Sequence, residues 1–388
     1  MRTDEGRIGP ARRIALALIA LGVALGMVAC GGDSGIEGSE AESDVETAEA
    51  QGEASGDLFV SNWPFYIDRK TVPAFEKKTG ISVKYVEDVN DNTAFFGKVQ
   101  PLLERGEAGG RDIMVVTDWM AKKMYDLGYL QNFDKEAVGP ALDNLIPALQ
   151  SPSFDPERNY SLPWQSGMTG LVVNTAMAPD VTSINDLFDP KYKGKVEMLT
   201  EMRDTVPLVM KASGVNPEDA TEEDWMAAID KIEQAAASGQ IRRFTGNDYT
   251  RDLANGDAVA VIGWSGDAVQ LQADNPDIEF VMPDEGCMLW SDNMVIPVGA
   301  PNPAAAYEWM NYAYEPANQA QITNYNYYVS PVSGVKEILE KQGSDAAKSD
   351  LVFPPEEYTA DCSTVDTPPG GPEAEQRVER AFQSVITG

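Results

Sequence analysis

From residue 57 onward the chain alternates short β-like runs with helix-like segments, and that alternation restricts its fold more than any other feature. Residues 58–61, 81–86, 112–117, 170–174, 195–200, 258–263, 278–282 and 293–298 read as strands, rich in branched and aromatic residues. Between them lie helical patterns such as 119–127, which stops before Gly128, and 221–237, which opens on Thr221-Glu-Glu-Asp224, a variant of the capping box. The expected fold is α/β with largely parallel sheet. In open sheets of that kind ligands sit beyond the carboxyl ends of the strands.

The residues that follow the expected strands are indoles and acids. Asn62-Trp63-Pro64-Phe65-Tyr66 follows the first, Asp118-Trp119 the third, Glu201 and Asp204 the fifth and Trp264 the sixth. Of seven tryptophans, Trp63, Trp119, Trp164, Trp264 and Trp290 fall at strand ends or in loops, whereas Trp225 and Trp309 lie inside helical patterns and are expected to pack in cores. In the stretch MLWSDNMVIP, Trp290 and Asp292 are two apart, so an extended strand projects both from one face. A ring beside a carboxylate suits an organic cation. Taking an ammonium from water costs several kcal/mol unless acids and acceptors replace its hydration. Rings over it then contribute about 0.5–2 kcal/mol each. The competing reading of each acid is a solvated turn residue, or for Asp204 a helix cap.

Composition narrows the chemistry. The 388 residues are 43% apolar, enough for two ordinary domains, and carry a formal charge of -32. Nucleic acids and other polyanions are poor partners for such a chain, and none is expected, since phosphate binding needs a basic surface. A cationic solute is drawn toward such a chain. Histidine is absent altogether, which removes imidazole acid–base chemistry, Ser-His-Asp and Cys-His catalysis, and His-ligated zinc.

The chain opens with Arg2, Arg7, Arg12 and Arg13, continues in an apolar run over 14–28, and reaches Ala29-Cys30 before a polar stretch. That is the layout of a secretory signal over 1–29, with Cys30 placed as the lipidated first residue of a bacterial lipoprotein. Residues 31–57 hold nine acids and no base and are expected to form, with Cys30, a disordered linker over 30–57. The body is then exported and tethered to the outer face of the cell membrane. Cys287 and Cys362 remain as an even pair in an exported chain, and a disulfide is expected between them.

The motifs LFVSNWPFYID, GGRDIMVVTDWMAKKMYDLGYL, SLPWQSGMTGLVVN, LFDPKYKGKVEMLTEMRD, AVIGWSGDA and DEGCMLWSDNMVIP occur in an order that resembles the bacterial polyamine-binding proteins, the extracellular solute-binding receptors of ABC importers. The likeness covers about residues 57–335 and implies a two-lobed, type II periplasmic-binding-protein fold with the ligand cleft between lobes. The implied lobes are 58–168 with 292–336, and 169–291 with 337–388, hinged near 168–172 and 288–292. The resemblance places ligand contacts at Trp63, Tyr66, Thr117, Trp119, Glu201, Asp204, Trp264, Trp290, Asp292 and Tyr328. It implies a polyamine ligand, membrane permease subunits as partners, a monomer, no cofactor or metal, and no enzymatic step. Phe65 departs from the pattern, since relatives carry an acid there. Alternatives are a receptor for another small cation such as a quaternary amine, a carboxylate-dependent glycosidase using Glu201, Asp204 and Asp292, and a surface scaffold without a small ligand.

Overall fold

The computed structural model describes residues 45–388 apart from 53, 365 and 366. The expected signal segment, Cys30 and the linker as far as 44 lie outside the described residues. Eleven strands occur in chain order: β1 Thr47–Ala48, β2 Asp57–Asn62, β3 Ser82–Glu87, β4 Ile113–Thr117, β5 Asn132–Phe133, β6 Leu162–Asn174, β7 Val196–Leu199, β8 Ile241–Thr245, β9 Ala260–Trp264, β10 Ile278–Val281 and β11 Met288–Val295. Nine of them make one sheet in the order β3-β2-β4-β11-β6-β9-β7-β8, with β10 also on β6.

Helices cover this sheet, and the pairing divides it into two lobes. In lobe 1, β2 runs parallel to β3 and β4. In lobe 2, β7 runs parallel to β8 and β9. Two long strands join these groups. The first part of β6 pairs with β11, and its second part, from Thr169, pairs with β9 and β10. β11 in turn pairs with β4 from Asp292 onward. These joining strands are antiparallel to their neighbours, so the sheet is mixed rather than largely parallel. β6 also begins eight residues before the expected 170, at Leu162, because Pro163, Gln165 and Gly167 hide its alternation.

Local chemistry explains the other elements. Thr221 accepts from the Asp224 backbone, and Asp224 returns the bond to Thr221, so the capping box closes and Glu222–Ala237 forms. The unexpected edge strand β8 carries Arg242 and Arg243, which neutralise Glu197 of β7 and Asp252, both almost fully buried. An edge strand written with arginines does not read as a strand, yet charges there block stray pairing.

Three expectations are corrected by packing. Residues 45–57 are not a free linker: β1 pairs with β5, Ala48 is buried, and Tyr307 donates to the Ala48 carbonyl. A small residue flanked by backbone donors can dock where its acidic neighbours still face water. Trp164 is not at a strand end but buried within β6, with its ring 6.3 Å from that of Trp309. Helix Val335–Gln342 packs on Pro316–Asn326 through buried Val335 and Leu339, so lobe 1 extends past residue 336.

Cys287 and Cys362 are joined by a disulfide across a separation of 75 residues. It ties the segment before the C-terminal helix to the start of β11, where Ser363 donates to the Cys287 carbonyl and Leu289 to that of Ser363. Closing a loop of that length restricts the unfolded chain, so replacing both cysteines by alanine is expected to lower the unfolding free energy by about 2–4 kcal/mol. Paired denaturant titrations of the parent and the double variant measure it.

Candidate functional site

All ten residues expected at the site line a single cavity of about 60 Å3 between the lobes. Lobe 1 supplies Trp63 and Tyr66 from the loop after β2, and Thr117 and Trp119 from the end of β4 and the helix Asp118–Asp126. Lobe 2 supplies Glu201 and Asp204 after β7, and Trp264 at the end of β9. Trp290 and Asp292 project from one face of β11, and Tyr328 closes the set. Residues from distant parts of the chain thus meet around one cavity.

Asp292 is held by two hydroxyls. Tyr66 donates to one carboxylate oxygen at 2.8 Å and Thr117 to the other at 2.7 Å. Burial pushes its carboxyl up to about 7, against the pull of those two bonds, and the nearby Asp204 adds to the rise. Burial likewise lifts Asp204 to about 6, although the Trp264 indole donates to it at 3.0 Å. Asp204 lies in the first turn of helix Met202–Lys211 rather than at its cap. Glu201 is raised well above the ordinary range by burial and by Asp91. Its Oε1 accepts from the backbone N–H and the side-chain amide of Asn92, at 2.6 and 3.0 Å, at the start of helix Asn92–Leu103 in lobe 1. So this acid bridges the lobes as well as facing the cavity.

One acid was missed. Asp267, 3% exposed, also lines the cavity. It accepts from Tyr328 and Tyr249 at 2.9 Å each and from Asn247 at 3.0 Å, and burial raises its carboxyl. Its only sequence signal is the stretch Trp264-Ser-Gly-Asp267, which puts an acid in the first turn of the helix that follows β9. Asp118 lines the cavity too, with its carboxylate accepting from the Ser291 backbone and the Asn293 amide.

The aromatic wall is built from ring pairs that meet edge-on or tilted. Trp63 meets Trp264 across the lobes at 5.8 Å, Tyr66 meets Tyr328 at 5.0 Å, and Tyr328 meets Trp290 at 5.5 Å. The Tyr328 ring lies directly over Gly266, where a Cβ would come within 2.5 Å of it. Phe65 is 49% exposed with φ at 59°, and its ring does not line the cavity. Trp119 carries the Arg203 guanidinium on its face at 3.6 Å. Arg203 is itself ion-paired to Glu375 and Glu379, and its charge is thereby offset in the cavity wall.

Enclosed carboxylates, each pushed toward neutrality by burial, form a pocket that gains most from a guest bringing positive charge. A cleft between two lobes joined by crossing strands defines a class of protein that closes on a small solute. Residues 70–353 match the model for bacterial extracellular solute-binding proteins, and the chain belongs to that family. It is 27% identical to the spermidine/putrescine-binding periplasmic protein of Escherichia coli K12 over 74% of this chain and 80% of that one. It is also 27% identical to the putrescine-binding periplasmic protein PotF of the same organism, over 85% and 91%. A solved structure from Listeria monocytogenes assigned to a spermidine/putrescine ABC transporter superposes with a TM-score of 0.75 at 28% identity, over 85% of this chain and 98% of that one. Among the described residues no helix is long and apolar enough to cross a membrane.

Proposed function

We propose that this protein is the receptor of an ABC importer and captures a polyamine by closing its lobes around it. The observation that carries the reading is the burial of Glu201, Asp267 and Asp292, with the half-buried Asp204 beside them, in one aromatic cavity. An alkylammonium, with a proton affinity near that of lysine, stays charged across the neutral range and turns these costly carboxylates into paired ones. Asp292 neutralises one nitrogen with Tyr66 and Thr117 holding it in place. Asp204 and Glu201 face the other end, with Asp267 as a further acceptor. Trp63, Trp264, Trp290, Trp119 and Tyr328 cover the methylenes. Two or three charge-assisted hydrogen bonds at about 1.5–3 kcal/mol each, with ring contacts added, reach the roughly 8 kcal/mol of a micromolar complex.

In this reading the crossing segments of β6 and β11 near 168–172 and 288–292 are the hinges, and no bond is made or broken. Export, a lipid tether at Cys30, a monomeric body at the outer face of the membrane and delivery to permease subunits complete it. The family match does not favour a glycosidase. Calorimetric titration of the purified, ligand-stripped protein with putrescine, spermidine, spermine and choline is the test. Micromolar or tighter binding of at least one polyamine is expected, and heat silence across the panel overturns the reading. A response to choline alone, surviving loss of Asp292, favours a quaternary-amine receptor.

A pH dependence follows from the raised carboxyls. Acids whose folded pKa is raised contribute stability that is fully present below the unfolded value near 4 and is lost as pH rises through about 6 for Asp204 and about 7 for Asp292. The empty protein thus holds protons that a cation expels. Titration at pH 6.5 in buffers of different ionisation enthalpy is expected to show release of about one proton per amine bound. Affinity is expected to fall as the pH drops from 7.5 to 5.5.

A further inference from the structure

The C-terminal helix Gly371–Thr387 belongs to lobe 2. It packs on Glu222–Ala237, donates from Arg377 to Glu222 at 2.7 and 2.9 Å, and sets the Phe382 ring 6.3 Å from that of Phe244. One helical turn apart on its inner face stand Glu375 and Glu379. Both pair with Arg203 of lobe 2, whose side chain is 5% exposed. Glu379 also accepts from Lys123 at 3.0 and 3.2 Å. Lys123 lies on the helix Asp118–Asp126 of lobe 1, one turn after the Trp119 ring on which Arg203 rests. One carboxylate is therefore shared by a cation from each lobe, and the guanidinium it orients reaches across to an indole of the opposite lobe.

This cluster sits beside the cavity but is separable from it. Lys123 and Glu379 do not line the pocket, whereas Arg203 and Trp119 do. We propose that Glu379 is the shared carboxylate of a closure latch, holding Lys123 of lobe 1 and Arg203 of lobe 2 together when the cleft shuts and so setting affinity without touching the solute; this rests on the reading of the chain as a receptor that closes on its ligand. The apparent dissociation constant of such a receptor varies inversely with the population of its binding-competent state. Contacts that form only on closure act on that population and on the rate of release. The Lys123–Glu379 pair acts alike on every solute, because neither residue lines the cavity.

The test uses the full chain with Lys123→Met, Glu379→Gln and the double variant. Each is titrated with putrescine, spermidine and spermine at low and high salt, and the ligand-free proteins are compared by small-angle scattering. Lys123→Met, which alters a partly exposed residue and leaves both Arg203 pairs intact, is expected to weaken all bound amines alike by about threefold. Glu379→Gln is expected to weaken them by about tenfold, with the loss in the dissociation rate and the order of preference among amines unchanged. The double variant should be no weaker than Glu379→Gln alone, since both remove the same contact. Parent affinity should fall more steeply with salt than that of Lys123→Met, and the ligand-free variants should scatter as a more open shape, with the melting temperature unchanged in Lys123→Met. Additive losses, an altered amine preference, or identical ligand-free scattering overturn the latch. If the parent binds no amine at all, the ligand-free scattering comparison still decides the latch, while the receptor reading fails separately.

Discussion

Asp292→Asn is expected to abolish polyamine binding for practical purposes, weakening it by about a hundredfold or more. The amide keeps the shape of the carboxylate and can still accept from Tyr66 or Thr117, so the pocket is preserved and only the charge is lost. What remains is an ammonium taken out of water with no counter-charge at the centre of the cavity. Truncating one partner of a buried charge pair costs about 2–5 kcal/mol for that reason. The empty protein should respond in the opposite sense. A buried carboxyl pushed up to about 7 is a burden on the unliganded fold, and a neutral amide relieves it. Calorimetry and thermal melting together check both halves: binding within threefold of the parent would remove Asp292 from the centre of recognition.

Gly246→Val is expected to be nearly as damaging although no ligand atom is involved. Gly246 follows β8 in lobe 2, and a Cβ built there would lie 2.1 Å from the Asn90 carbonyl oxygen, just before helix Asn92–Leu103 of lobe 1. The neighbouring Asn247 donates its backbone N–H to the Asn90 side chain at 3.3 Å, so the two loops touch across the cleft. Gly246 is not among the residues of positive φ, and the three atoms nearest a Cβ built there all belong to Asn90 of lobe 1. The side chain acts as a wedge between lobes that are each intact. Affinity should fall by about a hundredfold, or on the order of 3 kcal/mol, with little change in melting temperature, and Gly246→Ala should fall between. Unimpaired binding in the valine variant would mean that the solute is held without this contact forming.

Much of the fold was legible because alternation of strand-like and helical runs is a local property. The strands 58–61, 81–86, 112–117, 195–200 and 258–263 lie within a residue or two of β2, β3, β4, β7 and β9. Part of the site followed from topology, since strand ends in an open sheet converge and Trp63, Trp119, Glu201 and Trp264 stand at or just after four of them, whereas Thr117 and Tyr328 came from the family resemblance. What escaped notice depends on partners far away in sequence. β8 is a strand because Glu197 and Asp252 are buried beneath its two arginines, which no window around 241–245 reveals. Asp267 looks like an ordinary acid of a helix first turn, and only the arrival of Tyr249 and Tyr328 makes it a cavity residue. Trp164 reads as a loop residue because the strand containing it is defined by β11, more than a hundred residues later.

The stitching of residues 45–57 to lobe 1 has a mechanical consequence. Asn132 donates to the Val45 and Glu46 carbonyls, Tyr307 to that of Ala48, and Asn302 to those of Ser55 and Asp57. All of these donors ride on one lobe, so the chain enters the body at a point that does not shift when the cleft opens. In the receptor proposed above, lobe 2 is then the half that moves relative to this entry point. Pulling on the N-terminus would peel away a short run of hydrogen bonds before any load reached the central sheet.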